Sequence, residues 1–102
     1  MFRHVVMFRL KPEVDPTAVA QPLEDLRRLP DRIDTLRGFT VGLDAGVNEG
    51  NFDIVVVADF EDREGYATYR DHPEHLRVAR EQLGPLISER AAVQHELDGG
   101  AA

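Results

Sequence analysis

Histidine is the one side chain whose ordinary pKa, near 6.5, lets it exchange protons close to neutral pH. His4 lies inside the run Phe2-Arg3-His4-Val5-Val6-Met7-Phe8-Arg9-Leu10, and His72 and His75 bracket Pro73-Glu74. Proline favours the first helical turn, so Pro73 puts His75 near a helix start, whose positive end disfavours the imidazolium and leaves a neutral ring. A neutral imidazole can accept a proton from an activated carbon while a phenol such as Tyr69 donates to the enolate oxygen that develops. His4, if buried, needs a hydrogen-bond partner, which His75 or a ligand could supply. His4, Tyr69 and His75 are therefore the candidate catalytic set, on condition that the fold brings them together. The competing reading is that His72 caps a helix, His75 packs beneath it and His4 is a satisfied core histidine.

A cavity for a flat apolar molecule would be lined by Phe8, Phe39, Ile54, Tyr66, His72 and Leu76, unless those side chains only fill the core. His72 and His75 are three apart with Asp71 and Glu74 nearby, a spacing that zinc permits, but no third well-placed ligand stands beside them. No metal or other cofactor is expected. The acidic stretch from Asp44 to Asp53 lacks the alternating oxygen ligands of a calcium loop and reads as a solvated turn. Glu24-Asp25 with Arg27-Arg28, and Arg77 with Arg80-Glu81, read as wet helix faces.

The 102 residues suit a single domain, residues 1–97, with a flexible tail over 98–102. A chain of this size buries roughly 65% of its unfolded surface, so a partner subunit could add much of the stability. Nineteen acidic against twelve basic residues, net −7, argue against nucleic acid and anionic membranes as partners. With no cysteine there is no disulfide and no thiolate chemistry, which suits the cytoplasm. The N-terminal apolar stretch is broken by Arg3, His4 and Arg9 and stops at Lys11-Pro12, too short for a signal core or a membrane span.

The elements that must position the histidines alternate in period. Phe2 to Leu10 is a strand with Phe2, His4, Val6, Phe8 and Leu10 on one face and Val5 and Met7 on the other, apolar on both sides at its centre. Asp15-Pro16 reads as an N-cap and first helical residue, with Val19, Leu23 and Leu26 at helical spacing up to Leu29-Pro30. Pro22 inside that segment predicts a kink near Ala18 or a later start. Leu36 to Leu43 and Phe52 to Phe60 are strands, the second carrying Val55 and Val57 on its other face; Gly38 and Gly42 suggest a bulge or close packing. Helical pieces over Glu61 to Arg70 and Pro73 to Leu83 precede a last strand, Ser88 to Leu97. Strand, helix, strand, strand, helix, strand is the α+β, ferredoxin-like split βαβ order: a four-stranded antiparallel sheet with helices on one face. The uncovered face, bearing Val5, Met7, Val55, Val57 and either Val93 or Ala92, predicts a homodimer that buries on the order of 800 Å² per subunit.

The chain resembles the Dabb family, the stress-responsive A/B barrel domain, over residues 2–97. The resemblance is carried by Arg3-His4-Val5-Val6-Met7-Phe8-Arg9-Leu10-Lys11-Pro12, by Glu49-Gly50-Asn51-Phe52-Asp53, by Val57-Ala58-Asp59-Phe60, by Tyr69-Arg70-Asp71-His72-Pro73-Glu74-His75 and by Pro85-Leu86. It implies a homodimeric α+β barrel in which two sheets face each other. One branch of the family is a plant polyketide cyclase that closes a linear polyketide by intramolecular aldol condensation, and its two histidines and tyrosine fall on His4, His75 and Tyr69. The function implied is binding of a small apolar or aromatic molecule between helices and sheet, with cyclase-like proton transfer. The alternatives are a non-catalytic, stress-associated or structural dimer and, further off, a monooxygenase-like or haem-handling dimer.

Overall fold

The structure, a computed structural model, describes residues 1–97; the expected tail over 98–102 lies outside them. Strand β1 (Phe2–Leu10) is followed by helix α1 (Ala20–Arg27), strands β2 (Gly38–Leu43) and β3 (Ile54–Phe60), helices α2 (Arg63–Asp71) and α3 (Pro73–Leu76), and strand β4 (Ile87–Glu96). Among the described residues the four strands form one antiparallel sheet in the order β2-β3-β1-β4. This is the ferredoxin-like split βαβ arrangement expected from the element order. Strand β3 begins two residues later than predicted, and Phe52 instead lies under the Arg9 guanidinium at 4.3 Å.

Pro22 explains how the first helical segment is built. Asp15 caps a 3₁₀ turn, Pro16–Val19, by accepting from the Thr17 N–H at 2.9 Å, and the α-helix starts only at Ala20. Pro22 then falls in the first helical turn, where an N–H has no intrahelical partner to lose. In place of the kink expected near Ala18, the winding changes from 3₁₀ to α between Val19 and Ala20. A difference of the same kind marks the other end of the chain: α3 passes directly into a π-helical stretch, Arg77–Leu83, instead of continuing as α-helix.

Successive strand residues point to opposite faces. On the helix side, Phe2, Val6, Ile54, Val56, Ala58 and Phe60 are buried, and they meet Val19, Leu23, Leu26, Leu29 and Ile33 from the α1 region. Tyr69, Val78 and Leu83 seal the core from the α2–α3 side. Full burial of each such aliphatic side chain is worth about 1.5–3 kcal/mol, so this layer is what fixes the helices on the sheet.

The opposite face is open in the single chain. Met7 is 37% and Val93 58% exposed, and Val5, Val55 and Val57 are half-buried. The register pairs Val5 with both Val57 and Val93, which assigns Val93 and not Ala92 to this surface. The side of β1 predicted to be covered is thus left uncovered by the chain's own helices. At one end of that face Arg3 makes a bidentate pair with Asp59 at 2.7 and 2.8 Å. A Cβ on Gly38 would stand 3.1 Å from Asp59 Oδ2, so the glycine serves close packing here, and the pairing of β2 with β3 runs in unbroken register without a bulge.

Helix α2 carries both tyrosines and is started by Asp62, whose carboxylate accepts from the Gly65 N–H at 2.9 Å. Asp62→Ala is expected to lower the unfolding free energy by about 1 kcal/mol with the denaturant slope unchanged, measured by urea unfolding.

Candidate functional site

His4 is delivered to the helix side of the sheet by the alternation of β1, and there it is 4% exposed. The pairing of β1 with β4 sets Gln94 opposite it, and the Gln94 amide N–H donates to His4 Nδ1 at 2.7 Å. The partner expected from the sequence was His75 or a ligand; register supplies Gln94 instead. With Nδ1 accepting, a neutral His4 ring carries its proton on Nε2.

Tyr66 and Tyr69, three apart, share one face of α2 and lie above His4, with ring centroids at 4.9 and 6.4 Å from it. His75 stacks against Tyr69 at 4.3 Å. Its Nδ1 lies 3.0 Å from the Arg70 carbonyl, which can only accept, so Nδ1 holds the proton and Nε2 keeps a free lone pair. Between helices and sheet these groups border a cavity of about 360 Å³ that touches His4, Tyr69 and His75 at once. Val6 and Val56 from the sheet and Leu26 and Leu83 from the helices supply its apolar walls.

Of the other expected lining residues, Phe8 and Tyr66 border the cavity and four do not. Phe39 stands behind Tyr69, edge to face at 6.3 Å, and braces it. Ile54 is core, 2% exposed, and Leu76 packs half-buried outside the cavity wall. His72 has turned away to cap α3: its Nδ1 accepts from the Glu74 N–H at 3.1 Å, so its backbone position and ring are used structurally. Among the described residues no three metal-ligating side chains stand together.

The sequence reading missed the cations. Arg70, Arg80 and Arg90 all border the cavity, although Arg80 had been assigned to a wet helix face. Arg90 was legible in principle. With Val93 on the outer face, alternation along β4 turns Arg90, Ala92 and Gln94 to the helix side, an unusually polar set for a surface that faces a core. Arg80 carried no such signal, because its orientation depends on the π-helical stretch.

Burial dominates the electrostatics. It lowers the His4 pKa to about 4, helped by the positive charges of Arg90 and His75. The His75 pKa is also lowered, by burial first and by Arg90, His72 and Arg80, while its bond to the Arg70 carbonyl opposes the shift. Both rings are neutral at pH 7, as predicted for His75, although the helix end is not the main cause. Burial, with Tyr66 beside it, raises the Tyr69 pKa and holds the phenolic proton in place.

Between pH 6.5 and 4 the unfolded chain takes up a proton at His4 that the folded chain refuses, so stability falls as the pH falls and levels off below the folded pKa of about 4. In NMR the His4 ring is expected to titrate with a midpoint near 4. Urea unfolding should lose about 2 to 3 kcal/mol more between pH 7 and 4.5 in the native chain than in His4→Gln.

Comparisons with known proteins agree with the fold. The model of the Dabb family, the stress responsive A/B barrel domain, matches residues 2–96. A stress-response A/B barrel domain-containing protein of Arabidopsis thaliana is 28% identical over 93 residues, which are 91% of this chain and 35% of that protein. The chain thus spans about a third of that relative's length. A dimeric ferredoxin-like protein from Thermobifida fusca is 38% identical with a TM-score of 0.85, over 94% of this chain and 90% of that one. The hydroxynitrile lyase of Passiflora edulis shares the fold, with a TM-score of 0.83 and 17% identity over 99% of this chain and 96% of its own. The sheet order, the helices on one face and a family match over nearly the whole length give one conclusion: the chain belongs to the stress-responsive A/B barrel domain family.

Proposed function

We propose that the protein is a homodimer that binds a small apolar or aromatic carbonyl compound in the cavity between helices and sheet and moves protons on it without a cofactor. The observation that carries this reading is the convergence of His4, Tyr69 and His75 on one cavity of about 360 Å³. A space of that size, mostly apolar and with a few polar groups, suits a small ligand.

Each group has a distinct part. His75 Nε2, its lone pair free because Nδ1 is tied to the Arg70 carbonyl, takes a proton from the carbon next to the carbonyl. Tyr69 keeps its proton and donates a hydrogen bond to the enolate oxygen, and His4 Nε2–H is a second donor. In an aldol cyclisation the enolate carbon then attacks a second carbonyl of the same molecule. The new C–C bond leaves an alkoxide, which recovers the proton held on His75. Protons and electrons balance within the substrate. The likeness of His4, Tyr69 and His75 to the residues of the polyketide-cyclase branch supports this chemistry.

The dimer is proposed through the open sheet face. Val5, Met7, Val55, Val57 and Val93 form an apolar surface whose central side chains are partly exposed in the single chain, and the Thermobifida relative is dimeric. Closing two such faces on one another removes that surface from water.

Light scattering is expected to return twice the chain mass, and Val93→Asp, at a position 58% exposed within the single chain, should return a folded monomer. Exchange of the α-protons of 2-tetralone for deuterium, followed by NMR in D₂O, tests the chemistry. The protein should accelerate exchange, and His75→Gln should slow it by roughly 100-fold. Exchange no faster than in buffer would leave a binding or structural dimer without catalysis.

A further inference from the structure

We propose that the ligand of this cavity carries a carboxylate on its apolar body, and that Arg80 and Arg90 hold that carboxylate at the rim. This rests on the ligand-binding reading above and narrows it to a class of compound.

The first ground is an imbalance of charge. The chain has nineteen acidic residues against twelve basic ones, and eight of its arginines pair with a carboxylate. Around the cavity the balance is reversed: three arginines and two histidines border it, and no acidic residue is among the described lining. Arg70 is neutralised by a bidentate pair with Asp71, both bonds at 2.9 Å. Arg80 and Arg90 form no ion pair among the described residues, in a protein where carboxylates are plentiful.

The second ground is how Arg80 comes to be there. His75, Ala79, Arg80, Leu83 and Gly84 all border the cavity. In an α-helix of 3.6 residues per turn, a residue five positions on is turned about 140° away, so Arg80 would leave the face that His75 occupies. The π-helical stretch Arg77–Leu83 winds more slowly, with i→i+5 bonding, and brings the fifth residue back toward that face. A π-helical segment is rare, and such segments are frequent at functional sites. Here its consequence is a cation at the cavity mouth. Arg90 arrives independently, from β4, directly across from Phe8 in the register with β1.

The third ground is the order of polarity. Arg80 and Arg90 are exposed at the rim, while His4, Tyr69, Val6 and Val56 are buried deeper in. A ligand with one anionic end and a flat apolar body fits that gradient in one orientation, with its charge outward and its reactive portion against His75 and Tyr69. A guanidinium offers a carboxylate two parallel N–H donors, and a second cation beside it adds to the attraction.

The test compares 2-naphthoate with 2-naphthamide, which share a body and differ in charge. Both are titrated into the dimeric protein and followed by NMR at low salt. Naphthoate is expected to bind roughly tenfold more tightly, and Arg80→Gln with Arg90→Gln should shrink that preference below about twofold. Arg28→Gln removes a positive charge that lies away from the cavity and forms no salt bridge among the described residues, and it should leave the preference intact. Equal binding of the two probes, or a preference that survives in the double variant, overturns the carboxylate assignment while leaving the cavity as a binding site. If neither probe shifts the resonances of Tyr69 or His75, both the assignment and the binding reading fall.

Discussion

The register of β1 against β4 is the constraint on which the site depends. Three pairings set by it decide three separate things: Gln94 opposite His4 fixes the ring's tautomer, Arg90 opposite Phe8 puts a cation on the cavity, and Val93 opposite Val5 extends the apolar outer face. A slip of one residue would send each of those side chains to the other side of the sheet. The bulge between Arg9 and Leu10 lies beyond these pairs, so the irregular end of the ladder does not disturb them. The polar groups of the cavity and the apolar outer face are therefore specified together, by the backbone hydrogen bonds of one strand pair.

Burial is the second control. His4 and His75 are kept neutral chiefly because water is excluded from them, and the same exclusion keeps the proton on Tyr69. One environment thus yields an acceptor at His75 Nε2 and donors at Tyr69 and His4, through hydrogen bonds that assign opposite tautomers to the two imidazoles. Aromatic contacts hold these rings in place from behind: Phe39 and Phe60 press on Tyr69, at 6.3 and 5.3 Å.

Much of this was legible in the sequence, and the boundary of legibility has a physical reason. Period-two alternation placed His4, Val6 and Phe8 on one face and Val5 and Met7 on the other, because strand direction is a local property. Pro73 marked the start of α3, and Pro22 marked the late start of α1, because proline acts on its own backbone. Gln94 and Arg80 were not legible in the same way. The partner of His4 depends on which residue of a strand ninety positions away comes level with it. The facing of Arg80 depends on the π winding of Arg77–Leu83, which the apolar spacing of the segment does not signal. His72 was open to two readings, a lining residue or a helix cap, and its ring takes the second, accepting from the Glu74 N–H.

Net charge also proved a poor guide to the site. A chain of net −7 repels anions at long range, yet screening over about 10 Å at 0.1 M salt leaves local groups to decide what a cavity accepts. Arg90 lowers the basicity of both His4 and His75, and Arg80 lowers that of His75. A neutral imidazole beside two cations that form no ion pair among the described residues is ready to accept a proton but is a weak base. An anionic group placed between those cations would offset their share of the lowering at His75, a share smaller than that of burial. The arginines at the rim and the imidazoles within are therefore linked electrostatically, with burial as the larger control on both rings.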